Sequence, residues 1–93
     1  MTIADTILEK IIANAGPAFD SHDIIHQFGH QNQRLYVNEL AATNGDRPFQ
    51  VLHSALGRQI KAICERLGYK SEASRSLDIF GQHSECVRWT KQN

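Results

Sequence analysis

Four polar side chains recur along residues 47–69: Gln50, Ser54, Arg58 and Lys61, each three or four positions from the next. Side chains at that spacing share one face of a helix. Their chemistry is that of reading and holding a polyanion. The planar fork of an arginine pairs bidentately with guanine, a glutamine amide pairs with adenine, and a serine hydroxyl serves either a base or a phosphate. Arg58 carries the most specific geometry of the four. A plain solvated outer face is the other reading of the same row, since every amphipathic helix needs one; the residues alone leave both open.

Further along, Arg75, His83, Arg88 and Lys91 could reach phosphates, contacts that fix position without reading sequence. Glu72, Asp78 and Glu85 lie among them and dilute the field. His22, His26 and His30 are spaced i, i+4 and i+8. On an unbroken helix His22 and His26 could offer two metal ligands from one side, but a tetrahedral site asks for four, and no neighbouring cysteine or carboxylate in the sequence completes the set. Gly29 also disturbs the register of His30. The plainer expectation is an exposed polar face that titrates near neutrality. Cys64 and Cys86 are in neither a metal nor a redox spacing. They read as small hydrophobes, reduced thiols of a cytoplasmic protein. Nothing places an activating histidine or cation beside either one. There is no glycine-rich phosphate loop, no nucleophile elbow and no dedicated acid–base pair. The expectation is a protein with no catalytic residue, no enzymatic activity and no cofactor.

The elements that must position these groups follow from periodicity. RPFQVLHSALGRQIKAICERLGY places Phe49, Leu52, Leu56, Ile60, Ile63 and Leu67 in one apolar stripe, which predicts a long amphipathic helix. Pro48 suits its first turn and Asp46 its cap, and Gly68 suits the left-handed exit. A first helix is expected over residues 3–14, capped by Thr2 with Asp5 as an imperfect capping box. Ile3, Ile7, Leu8, Ile11, Ile12 and Ala15 are its buried side, and Gly16-Pro17 stops it. PAFD reads as a short extended piece with Phe19 as a core plug. A second helix starts at Asp20 or Ser21 and buries Ile24, Ile25 and Phe28. Gly29 is expected to break or kink it, and residues 32–43 continue as helix, so 21–43 is one bent helix or two. Asn44-Gly45-Asp46 is a turn. YKSEASRSLDIF holds two possible strand stretches, the better one over 76–80, and 85–90 alternates again after a turn at 81–84. Val87 and Trp89 face one side of this hairpin and Arg88 the other. Trp89 is expected in the core, while Tyr36 is either core or interface.

The totals bound the answer. A chain of 93 residues, 41% hydrophobic and 22% charged, supports one globular domain with a modest core. No apolar run reaches the ~20 residues of a membrane span, and no signal-peptide pattern opens the chain. The formal net charge is zero, which argues against strong non-specific nucleic-acid binding. Its distribution is uneven. Residues 1–46 hold two cations and six anions, and residues 47–93 hold eight cations and four anions. Such a split points to a charged partner, or to the two halves attracting each other.

The order helix, short extended piece, helix, connecting helix, long helix, hairpin resembles the winged helix-turn-helix family. The local likeness is greatest in SALGRQIKAICERLGYK and in a hairpin ending VRWTK. The resemblance implies a mainly α fold with a small C-terminal β-hairpin, three to four helices plus a wing, in one domain over 1–93. Within it, 1–46 is the acidic helical part, 47–67 the candidate recognition helix and 69–90 the hairpin or wing. It further implies a module binding double-stranded DNA, as in small transcriptional or phage and plasmid regulators. Gln50, Ser54, Arg58 and Lys61 would then enter the major groove, with Arg75, Arg88 and Lys91 in support. Residues 31–44 lengthen the connection relative to the shortest form of the fold. The alternatives are a protein–protein interaction module of the same fold without DNA binding, and a homodimer in which the acidic half of one copy meets the basic half of another.

Overall fold

Apolar residues at helical spacing and an alternating C-terminal stretch sort the chain into four helices and three strands. The computed structural model describes residues 3–92. In order these are α1 (Asp5–Asn14), β1 (Ala18–Asp20), α2 (Ser21–Gln31), α3 (Gln33–Ala42), α4 (Pro48–Arg66), β2 (Lys70–Leu77) and β3 (His83–Thr90). The class is mainly α with a C-terminal hairpin, winged-helix-like. Among the described residues no helix is long and apolar enough to cross a membrane.

Helix α1 buries Leu8, Ile11 and Ile12, the centre of the expected stripe. It starts later than expected, at Asp5 behind Ala4; the Thr2 cap lies outside the described residues. The reason is that Ile3 is drawn into the core. The Ile3 carbonyl and an Asp5 carboxylate oxygen both accept from Gln59 Nε2 on α4, at 2.8 and 2.7 Å. Asp5 therefore bonds across to α4 instead of closing a capping box.

Helix α2 is capped as its sequence asks. The Asp20 carboxylate accepts from the Asp23 amide at 2.8 Å, and the Asp23 carboxylate accepts from the Asp20 amide at 3.0 Å. This reciprocal pair satisfies two of the amides that a helix start leaves bare. Gly29 does not break the helix. It sits against the ring of Tyr36, and the break falls at Asn32, so 21–43 is two helices.

In α4 the stripe holds at its centre and fails at its ends. Leu52, Leu56, Ile60 and Ile63 are buried, joined by Cys64. Phe49 is 38% and Leu67 47% exposed, because the core is only as long as the helices packed on it. Pro48 takes the first helical position. The cap is Arg47, not Asp46, and no side chain bonds the first amides. Instead the Arg47 guanidinium donates to Gln50 Oε1 at 3.2 Å. Gly68 closes the helix with φ +76°.

The sheet has the order β1-β3-β2, antiparallel throughout. Phe19 lies opposite Trp89, and both are buried with residues of α1, α2 and α4 in one core. Strand β2 runs over Lys70–Leu77, earlier than the expected 76–80. The turn is Asp78 to Gln82, because the Asp78 side chain captures two downstream amides, Phe80 at 2.9 Å and Gln82 at 3.0 Å. Gly81, at φ +76°, supplies the left-handed residue this needs.

Leu56 is fully buried and Val51 is 51% exposed on the same helix. Leu56→Ala is expected to lower unfolding free energy by about 2–5 kcal/mol, and Val51→Ala to stay within about 0.5 kcal/mol. Urea unfolding followed by the fluorescence of Trp89 measures both.

Candidate nucleic-acid interface

The outer face of α4 presents Gln50, Ser54, Arg58 and Lys61, all exposed. The spacing that buries Leu52, Leu56, Ile60 and Ile63 turns these four outward, so the row is a direct consequence of the core. The hairpin stands across a cleft of about 510 Å³ from the first half of this row. Gln50, Ser54 and Gly57 line the helix side, and Asp78, Phe80 and Glu85 the wing side. A second hollow of about 290 Å³ shares Ser54 and Gly57 and runs on between Arg58 and Lys61 and the Val87–Trp89 stretch of β3. The two make one trough along the helix.

The wing tip is built around Asp78. Besides the two amides it captures, its other oxygen accepts from the Ser84 hydroxyl at 3.4 Å, and its own amide donates to the Gln82 carbonyl at 2.8 Å. The Gln82 amide, foremost, holds the Asp78 carboxyl below the usual carboxylate range; burial, next in size, opposes this, and the Phe80 amide, Ser84 and the charge of His22 add to the lowering. This turn sends Phe80 back onto α4. Its ring meets Phe49 edge-on at 5.0 Å and lies 6.4 Å from that of His53.

The other cations serve elsewhere. Arg75 lies opposite Glu85 across the hairpin. Arg88 is paired with Glu72 at 3.7 Å. Lys91 caps the end of α1, donating to the carbonyls of Ala15 at 2.8 Å and Ala13 at 3.3 Å. It also lies 6.0 Å from the centre of the Phe19 ring. Arg66 pairs with Glu9. Arg75 thus lies toward the far end of the hairpin, and Arg88 and Lys91 toward the base of the sheet, where Arg58 and Lys61 face Val87 and Trp89.

The histidine row divides. His22 turns under the hairpin, its Nδ1 2.8 Å from Ser76 Oγ and its Nε2 3.2 Å from Ser84 Oγ. His26 is exposed and lines a groove against the end of α1, and His30 is exposed. His22 shares its surroundings with Asp20 and Cys86, a grouping that spacing does not reveal, because β1–β3 pairing assembles it. Cys64 is fully buried, and its thiol is pushed up to about 11 by burial, with Lys91 opposing.

The sequence leaves Tyr36 open between core and interface and does not single out His53, its partner. Tyr36 Oη lies 2.6 Å from His53 Nε2, and its ring packs edge-on to Phe28. Burial raises the Tyr36 hydroxyl above the ordinary tyrosine range. Burial likewise lowers His53; Asp78 opposes this and His22 reinforces it.

No family model, no curated protein and no solved structure matches the chain. The description of the site therefore rests on its own geometry.

His53 binds its proton more weakly folded than unfolded, so its contribution to stability is present above the ordinary histidine value of 6.5 and is lost as pH falls below it. The unfolding midpoint is expected to drop between about pH 7.5 and 5.5, and His53→Gln to flatten that drop. Thermal unfolding across this pH range measures the difference.

Proposed function

We propose that the chain is a small winged-helix module that binds double-stranded DNA through the outer face of α4. The observation that carries this is the exposed row Gln50, Ser54, Arg58 and Lys61, standing on the helix that precedes the wing. Arg58 has the fork that reads guanine. Lys61 and Arg75 serve phosphates, positioning the helix without reading sequence. Ser54 sits between the two hollows, where it can serve a base or a phosphate. The reading assigns the protein a binding role with no catalysis and, with two free thiols, a cytoplasmic place.

The cation count sets the scale. Two phosphate-facing cations, Lys61 and Arg75, give a salt slope of about −2 in log K against log salt. That is a weak polyelectrolyte term, consistent with a net charge of zero. Affinity then has to come from base contacts or from more than one copy on the DNA.

A second reading is a protein-interaction module of the same fold. It is favoured by the exposed Phe80 (55%), Leu77 (56%) and Val51 (51%) around the wing tip and the start of α4. Exposed aromatics such as Phe80 are common anchors of protein interfaces.

Fluorescence anisotropy of labelled duplex DNA across a salt series separates the two. DNA binding predicts a slope of about −2, a loss of about 1–3 kcal/mol for Arg58→Ala and a slope shallower by about one for Lys61→Ala. Reversing both charges, with Arg58→Glu and Lys61→Glu, is expected to abolish binding. An absence of binding at low salt overturns the DNA reading and leaves the interaction module.

A further inference from the structure

We propose that Asp20, His22 and Cys86 form a zinc-type divalent metal site where β1, α2 and β3 meet. Their ligand atoms all lie within 4.8 Å of one another, and all three residues are half-buried. Among the described residues no other three histidine, cysteine or acidic side chains converge in this way. The site stands whether or not α4 contacts DNA.

The donor set is that of zinc. A thiolate, an imidazole and a carboxylate are its ordinary ligands, and the thiolate disfavours calcium and magnesium, which take oxygen. Metal–ligand lengths of about 2.0–2.3 Å imply ligand atoms about 3.3–3.6 Å apart in a tetrahedron. From 4.8 Å the three must close by about 1 Å, within reach of side-chain rotation. Cys86 gives up its thiol proton to solvent on binding, His22 offers a neutral nitrogen, and Asp20 enters as the carboxylate. The ligands then carry two negative charges against the ion's two positive ones. Water completes the fourth position.

The surroundings of His22 fit a ligand. Ser84 donates to Asp78, so its oxygen accepts from His22 Nε2. That relay puts the ring proton on Nε2 and leaves the lone pair on Nδ1. Nδ1 faces Ser76 Oγ at 2.8 Å, and the same hydroxyl lies 3.6 Å from Cys86 Sγ. A ligating histidine held through its other nitrogen by an oxygen tied to a carboxylate is the usual outer arrangement of a metal site. Asp20 spends one carboxylate oxygen, Oδ1, on the α2 cap, which leaves Oδ2 for the ion.

Titration of the full chain with Co²⁺, followed by competition with Zn²⁺, tests the site. The expected result is one ion per chain, with a thiolate-to-cobalt charge-transfer band that Zn²⁺ removes. Cys86→Ser loses the band. Asp20→Asn, which keeps an effective cap, weakens binding. Ser84→Ala weakens it by about 10–100-fold, and His26→Ala leaves it unchanged. In wild type, Zn²⁺ protects Cys86 from a thiol reagent, while buried Cys64 reacts only after unfolding. This readout holds even if Cys86→Ser fails to fold. A wild-type protein without the band, a band that survives Cys86→Ser, or Cys86 labelling unaffected by Zn²⁺ overturns the proposal.

Discussion

The pairing of β1 with β3 is the constraint on which the rest of the molecule depends. It is only three residues long, yet it joins Phe19 to Trp89 across the sheet and buries both. Bonds on either side extend it: the Val87 amide donates to Ser21 Oγ at 3.3 Å, and the Lys91 amide donates to the Pro17 carbonyl at 2.9 Å. An isolated two-stranded hairpin is marginal in water. Here a third strand and a tryptophan sunk among α1, α2 and α4 hold it. Without that anchor the wing would have no fixed position beside α4, and the trough along the helix would not exist.

The same pairing decides how the basic half of the chain is spent. By fixing the end of β3 beside the end of α1, it brings Lys91 onto the bare carbonyls there. Cations at a helix C-terminus are favourable both as donors and against the dipole. Arg88 is held opposite Glu72 on the solvent face, an exposed pair of small energetic weight that nonetheless lowers the local field. The charge excess counted over residues 47–93 therefore overstates the positive surface on offer. Beside the trough the cations are Arg58 and Lys61 of α4, and Arg75 of β2 stands opposite Glu85.

The architecture was legible where periodicity and caps spoke for themselves. Asp20 and Gly68 marked helix ends, the centre of the α4 stripe named its core, and the alternation around Trp89 gave the third strand. The misplaced features are those that depend on partners distant in the chain. Asp46 looks like a cap, but Arg47 takes the position. Phe49 and Leu67 have the right spacing for the core, but the neighbouring helices do not extend over them. Asp78 reads as a strand residue until its capture of two amides makes it a turn. Of the candidate site, the α4 row follows from the helix period alone. The company of His22 does not, since Asp20 is two residues away and Cys86 sixty-four, and only the β1–β3 register brings them together.

Along α4 the electrostatic character changes from one end of the trough to the other. Near Gln50 the facing wall carries Asp78 and Glu85 with the aromatic Phe80. Near Arg58 and Lys61 it carries Cys86, Val87 and Trp89 and no acid. At physiological ionic strength, exposed charges act over roughly 8 Å, so a phosphate close to Gln50 meets the two acids of the facing wall together with Arg47, and is beyond the reach of Arg58 and Lys61. The turn holds the Asp78 carboxyl below the usual carboxylate range. Helix-turn-helix proteins commonly read bases from the N-terminal end of the recognition helix. In this chain that end is the acidic and aromatic one, and Gln50 is already engaged by Arg47. For the DNA contact proposed above, the acids facing that end favour an approach over the second half of α4, where Arg58 and Lys61 stand.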